Sequence, residues 1–204
     1  MTLKIVAIVI SYFLGSVSFS VLLAKMLKGI DIRHHGSGNA GATNTLRVLG
    51  KGPAILVLLL DVLKGIAAVW LGKWLGGDSL WIPALCGIAA IIGHNWPIYF
   101  RFRGGKGIAT AIGVLATLCF LPALYAGIIA IISIFITRYV SLGSLIFVIL
   151  TPAILLMLPT YPLTLFWAAL IICVFAIWRH RTNIKKLIHG KENKLGNKGE
   201  KRVV

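Results

Sequence analysis

Residues 3–27 read LKIVAIVISYFLGSVSFSVLLAKML, and residues 36–47 follow as GSGNAGATNTLR. The first stretch is apolar for longer than the roughly 20 residues a helix needs to cross the hydrocarbon of a bilayer at about 1.5 Å per residue. It empties into a loop of glycines, hydroxyls, side-chain amides and one cation, Arg47. Glycine allows φ values that turn successive backbone amides inward, so such a loop can close around an anion.

Six further apolar segments follow, near residues 52–72, 80–98, 107–121, 123–138, 141–158 and 161–179. With 58% hydrophobic residues and a mean hydropathy of +0.93, the chain reads as an all-α integral membrane protein with seven transmembrane helices, one or two of them short or partial. Segment 107–121 is short for a span, and Pro122 argues for a break between it and the next. Merging the two and laying one other segment in the interface gives a five-span alternative. Met1 to about Ser20 resembles a signal peptide, but no clear cleavage site follows, so it is read as an uncleaved first span. Residues 1–194 form one membrane domain in this reading, and 195–204 a basic C-terminal tail.

The chain carries 21 Lys and Arg against five Asp and Glu, a net charge of +16. On so apolar a chain this favours anionic lipid headgroups and a topology signal over nucleic acid. Lys25, Lys28, Arg33, Arg47 and Lys51 cluster in one loop, Arg101, Arg103 and Lys106 in another, and nine cations follow residue 178. Lys4 and Lys73 fall on the other side. Seven spans then place the N-terminus outside and the three polar loops and C-terminus in the cytoplasm. Cys86, Cys119 and Cys173 each lie inside an apolar stretch at spacings that fit no zinc site, so no metal is implied and they read as packing residues.

Gly36, Gly38 and Gly41 match G-x-G-x-x-G, but a transmembrane helix precedes them where a dinucleotide fold needs a strand. The alternatives are a flexible turn and a phosphate nest of backbone amides, Ser37 and Thr43 hydroxyls and Asn39 and Asn44 amides, with Arg47 supplying charge. Gly104-Gly105-Lys106-Gly107 opens an apolar helix, whose free N–H groups also suit an anion. His94, in His94-Asn95-Trp96-Pro97, reads equally as a structural residue or a phosphate contact. Ser141 and Ser144 start the sixth span, as caps or contacts. His180 and Asn183 are three apart on one helix face beyond the last span. Asp61 and Lys64, also three apart, lie inside a span and read as a mutually satisfied pair supporting the site.

Three stretches together, GSGNAGATNTLR, GHNWPIYFRFRGGKG and HRTNIKKLIHGKENK, are closely similar to the bacterial acyl-phosphate-dependent glycerol-3-phosphate acyltransferase family over essentially the whole chain. The resemblance implies a multi-pass enzyme of the bacterial inner (cytoplasmic) membrane with its active site on the cytoplasmic side. It implies acyl transfer from an acyl phosphate to the 1-hydroxyl of glycerol 3-phosphate. The products are 1-acyl-glycerol 3-phosphate (lysophosphatidate) and inorganic phosphate, in phospholipid synthesis. Carried over by motif, Ser37, Gly38, Asn39, Thr43 and Asn44, with His94, Gly104 and Gly105, would hold the acyl phosphate. Arg47, Lys106, Ser144, His180 and Asn183 would hold glycerol 3-phosphate. Glu192 would hold the tail in place. No cofactor is implied. The partners are the two substrates, membrane lipids and the soluble enzyme that makes acyl phosphate.

No histidine here has an Asp five positions later, so the His–Asp base of thioester-dependent acyltransferases is absent. An acyl phosphate is already activated, and no nucleophile–base pair is evident. Substrate-assisted proton transfer is therefore favoured, with His94 and His180 as the candidate bases of the competing mechanism. A carrier of phosphorylated metabolites is the alternative from another class. Carriers place charges near mid-bilayer and often show inverted repeats, whereas here the polar motifs gather at one face and no repeat is seen.

Overall fold

The computed structural model describes residues 1–196; the last eight residues of the expected tail lie outside the described residues. Among the described residues there are ten α-helices, two short 3₁₀ turns and no strand. The helices are α1 (Thr2–Ser16), α2 (Phe19–Lys28), α3 (Ala42–Leu49), α4 (Lys51–Gly76), α5 (Trp81–Asn95), α6 (Ile108–Leu118), α7 (Phe120–Thr137), α8 (Val140–Met157), α9 (Leu163–Arg179) and α10 (Arg181–Ile188).

Every apolar segment of the sequence is helical. Five spans are long and apolar enough to cross a membrane: Thr2–Lys28, Lys51–Gly76, Trp81–Phe100, Phe120–Thr137 and Val140–Met157. A sixth is Leu163–Arg179 with Arg181–Ile188, bent by 63° at the junction. The remaining apolar helix, Ile108–Leu118, is shorter than a full crossing. The first span is two helices, because the chain turns extended at Val17 and Ser18. The break between α6 and α7 falls at Cys119 rather than at Pro122. Pro122 sits in the first turn of α7, where its missing N–H would have had no helical partner.

Helices packing in a bilayer gain little from hydrophobicity, so close approach matters, and small residues provide it. A Cβ on Gly65 of α4 would lie 2.3 Å from the Thr110 carbonyl oxygen, and one on Gly113 of α6 would lie 2.1 Å from the Val62 oxygen. These two glycines let the backbones of α4 and α6 nearly touch, which anchors the short helix. The main core joins α4 through α9 around Val69, Ile91, Val114, Leu115, Val148 and Ile172. A smaller cluster of Val21, Ala24, Ile32 and Ala40 underlies the first polar loop. Cys86, Cys119 and Cys173 are buried and unpaired.

Candidate active site

The first loop is built by its own side chains. Asp31 caps a 3₁₀ turn at Ile32–His34 by accepting the Arg33 amide, and its carboxylate grips the Arg33 guanidinium at 2.6 Å. That guanidinium holds the Asp31 carboxyl at about 2, well below the usual carboxylate range. Arg33 then donates to the Phe100 carbonyl at 2.6 Å, tying the first polar loop to the second.

Asn44, fully buried on α3, reaches back over the loop. Its Oδ1 accepts the Ser37 amide at 2.8 Å, and its Nδ2 donates to the carbonyls of Ile32 and His35 at 3.2 and 3.0 Å. Gly36 and Gly38 have φ of +61° and +74°, and a Cβ on Gly36 would lie 2.3 Å from Asn44 Oδ1. Glycine is therefore required at 36 both for conformation and for space. The Ser37, Gly38 and Gly41 amides are all taken up inside the loop. Among the described residues the Ala42 and Thr43 amides make no hydrogen bond, and both residues line the cavity described next. The N-terminus of α3 thus offers free amides, and in the turn before it the Gly36, Asn39 and Ala40 amides also make no hydrogen bond among the described residues, with Asn39 lining the cavity.

A cavity of about 760 Å³ lies where α3, α4, α6, α7, α8 and α10 meet. Ser37, Asn39, Thr43, Asn44, Arg47, His94, Lys106, Ser144, His180 and Asn183 all line it. Residues from all three polar stretches therefore share one wall at one end of the bundle. Gly38, Gly104 and Gly105 do not line it. The Gly105 amide donates to the His94 carbonyl at 3.1 Å. The Gly105 carbonyl accepts from Arg179 at 2.6 Å, and Gly104 is also within the reach of Arg179. These glycines hold the loop close: a Cβ on Gly104 would sit 2.0 Å from the His94 carbonyl oxygen. The N-terminus of α6 also opens on the cavity, through Gly107, Ile108 and Ala109.

Lys106 donates to Asn183 Oδ1, whose Nδ2 in turn donates to Glu192 Oε1 at 2.7 Å. Glu192 Oε1 also accepts from Ser141 at 3.1 Å. The acidic residue thus joins the cavity wall to the tail, and Leu195 is pinned further on by Arg138. Ser144 donates to the Val140 carbonyl at 2.8 Å, within its own helix. His180 lies between α9 and α10 rather than three residues along one helix from Asn183, and the bend turns both towards the cavity. Its Nδ1 is 2.8 Å from the Ala176 carbonyl oxygen. A carbonyl only accepts, so the proton is on Nδ1 and Nε2 carries a lone pair.

Four cations line the cavity, Arg47, Lys51, Lys106 and Lys186, against two carboxylates, Asp61 and Glu192. Burial, opposed by Glu192 but joined by repulsion from Arg47, Arg179 and Lys186, pushes the Lys106 ammonium down to about 8. Above that pH the free protein loses a positive charge at the site. The affinity of the cavity for inorganic phosphate, read by calorimetry, is therefore expected to fall as pH rises through about 8.

Away from these groups the cavity is apolar. Ile55 and Leu58 of α4, Ile112 and Ala116 of α6, and Leu124, Ile128 and Ile131 of α7 line it. Several of these side chains are about half exposed on the bundle surface, so the cavity reaches the lipid-facing side between α4 and α7, across the short α6. One end of the site suits anions and the other an alkyl chain.

Sequence reasoning did not single out Arg33 or Arg179, which hold the two loops together. Arg179 also lies over the Trp96 ring at 5.3 Å. Both were legible only as members of basic clusters. The carbonyls through which they join the loops, of Phe100 for Arg33 and of Gly104 and Gly105 for Arg179, lie far away in the chain and leave no mark on sequence spacing.

Residues 5–190 match the family described as Glycerol-3-phosphate acyltransferase. The chain is 63% identical over 198 residues to the glycerol-3-phosphate acyltransferase of Shouchella clausii (strain KSM-K16), covering 95% of this chain and 97% of that one. The crystal structure of PlsY (YgiH), an integral membrane glycerol 3-phosphate acyltransferase, in its glycerol 3-phosphate form superposes with a TM-score of 0.89 at 39% identity, over 95% of this chain and 96% of that one. The lysophosphatidic acid form gives 0.86 at 38% identity, over 95% of each chain.

Proposed function

Because the chain belongs to the glycerol-3-phosphate acyltransferase family and is an integral membrane enzyme of that activity, we propose the finer reaction. The acyl group comes from an acyl phosphate, and the products are 1-acyl-glycerol 3-phosphate and inorganic phosphate. The observation that carries this reading is the single cavity that joins a cationic, amide-rich end to an apolar end opening between α4 and α7. Both substrates are anionic and only one carries an alkyl chain.

Thr43, Ser37 and Asn39, with the free amides that open α3, receive the acyl phosphate. Arg47, Lys106 and Asn183 hold the phosphate of the acceptor, and His180 Nε2 accepts from its hydroxyl groups. The 1-hydroxyl oxygen attacks the carbonyl carbon. The bond from that carbon to the phosphate oxygen breaks, and a phosphate oxygen takes the hydroxyl proton. Alignment and charge stabilisation by fixed donors supply most of the rate. The competing reading makes His180 the base, and its free lone pair favours it over His94 in that role. His180→Gln is expected to lower kcat by less than about 10²-fold and to keep the basic limb of the pH profile. A loss of about 10³-fold together with that limb establishes the base instead.

The defining test mixes purified protein, glycerol 3-phosphate and acyl phosphate and measures phosphate release. One phosphate per lysophosphatidate is expected. Turnover with an acyl thioester but none with acyl phosphate overturns the donor assignment. Release without glycerol 3-phosphate overturns the acceptor assignment.

The apolar end also carries an expectation. Gly127 of α7 lines it, and a Cβ there meets no atom within 4 Å. Gly127→Phe fills that space and is expected to lower kcat/KM for long acyl chains about tenfold more than for short ones, within the range of pocket-based discrimination. Equal effects on both overturn this placement of the chain.

The cation distribution supports seven crossings with the short α6 as one, the N-terminus outside and the catalytic face in the cytoplasm of a bacterial inner membrane. Residues 1–194 act as one domain in this reading, and the donor arrives from the soluble enzyme that makes it.

A further inference from the structure

Asp61 and Lys64 of α4 are buried in the bundle, each side chain 2% exposed, beside His94 at the end of α5. Lys64 Nζ lies 2.7 Å from Asp61 Oδ1, 2.9 Å from the Val17 carbonyl oxygen and 3.0 Å from His94 Nδ1. Asp61 Oδ1 is farther from His94 Nδ1, at 3.5 Å. An ammonium has three N–H donors and no lone pair. Its three nearest polar neighbours are an anion, a carbonyl and the imidazole nitrogen, so Nδ1 must accept. The imidazole proton is then on Nε2. That nitrogen makes no hydrogen bond among the described residues, and it is not sealed off as Asp61 Oδ1 is. It borders Gly105, where a Cβ would stand 2.1 Å away, and His94 lines the cavity between the first loop and Lys106.

We propose that Asp61 and Lys64 are positioning residues that lock His94 as a neutral imidazole with its Nε2–H directed into the cavity, a fixed hydrogen-bond donor to the departing phosphate. His180 is held in the opposite tautomer by the Ala176 carbonyl. The two histidines of the cavity therefore divide the work: one donates to the leaving group, the other accepts from the acceptor hydroxyls. Without Lys64 the lone pair and the proton of His94 can exchange places. The ring then presents an acceptor to an anion in part of the population. This assignment of His94 rests on the acyl phosphate reading, whereas the tautomer itself does not.

Removing Lys64 alone would strand a buried carboxylate, so the pair is replaced together by Asp61→Leu with Lys64→Met. The pair substitution is made in the wild-type enzyme and in His94→Gln, whose side-chain amide keeps an N–H near the Nε2 position and has no tautomer to set. In the wild-type background the pair substitution is expected to lower kcat by about tenfold, as the donor tautomer falls to a minor share of the population, with KM for glycerol 3-phosphate changed less than about threefold. In His94→Gln, itself within about tenfold of wild type, the same substitution is expected to cost less than about threefold. Equal losses in both backgrounds, or no loss in the first, overturn the proposal. If His94→Gln is inactive, ¹⁵N spectra of histidine-labelled protein decide. Wild type is expected to give a protonated Nε2 and a bare Nδ1 for His94, with a mixture once the pair is replaced. A protonated Nδ1 in wild type overturns it. If wild type releases no phosphate from acyl phosphate, the donor reading fails on its own, and the spectra still test the tautomer.

Discussion

Lys106→Met is expected to lower kcat/KM for glycerol 3-phosphate by about 10²- to 10³-fold, the scale for truncating one partner of a partly buried charge contact. Methionine keeps the apolar stem, so packing is retained while the charge is lost. Lys106 stands among Arg47, Arg179 and Lys186, whose repulsion and the cost of burial already weigh against its charge. Replacing it should therefore leave the melting temperature unchanged or raise it, while activity collapses. That opposition separates a binding role from a structural one. Initial rates of glycerol 3-phosphate acylation and a thermal melt in detergent measure the two. A loss below about tenfold, or a parallel fall in both quantities, removes Lys106 from the anion site.

Gly105→Ala is the second large effect. The added Cβ would lie 2.1 Å from His94 Nε2 and 2.5 Å from the Ala40 carbonyl oxygen. The second contact is with backbone, so the loop must move rather than a side-chain tip. Movement there disturbs His94 on one side and the Arg179 clamp on the Gly104 and Gly105 carbonyls on the other. Displacing a catalytic constellation by about 1 Å costs on the order of 10²-fold, and a loss of at least that size in kcat is expected. Gly52→Ala is the control, because a Cβ there meets no atom within 4 Å and the residue lies outside the cavity lining. It should stay within about twofold of wild type. Near-normal turnover by Gly105→Ala would mean that the second loop does not set the position of His94.

The fold was legible where hydropathy is continuous. All seven apolar segments are helices, and the charged pair in the second segment is paired as its spacing suggests. Helix ends were less legible. Pro122 reads as a breaker in sequence, yet a proline is well tolerated in a first turn, and only the backbone places the break at Cys119. Helix α3 was hidden because its first turn carries Thr43, Asn44 and Thr45, polar residues of the kind that also make a loop. At the site, the motifs brought together ten of the residues expected to meet, including His180 and Asn183 across a bend that sequence spacing cannot express. Gly38, Gly104 and Gly105 were carried over by motif as anion contacts, and in the structure their backbone groups make hydrogen bonds that hold the loops. Asn44 is similar: its amide is consumed by three bonds to the first loop. Which polar group faces a cavity and which faces its neighbours depends on chain direction at each residue, and spacing carries no record of that.

The brevity of α6 has a consequence for traffic. A helix of 11 residues leaves a notch in the wall between two full-length neighbours, and the cavity runs out through that notch. A greasy tail can slide in sideways from the leaflet while its charged head stays at the watery rim. After acyl transfer, the same doorway lets the new lipid diffuse off within the plane of the bilayer without ever being lifted into water. The gap left by one stunted helix thus gives the acylated product a path that never leaves the apolar phase.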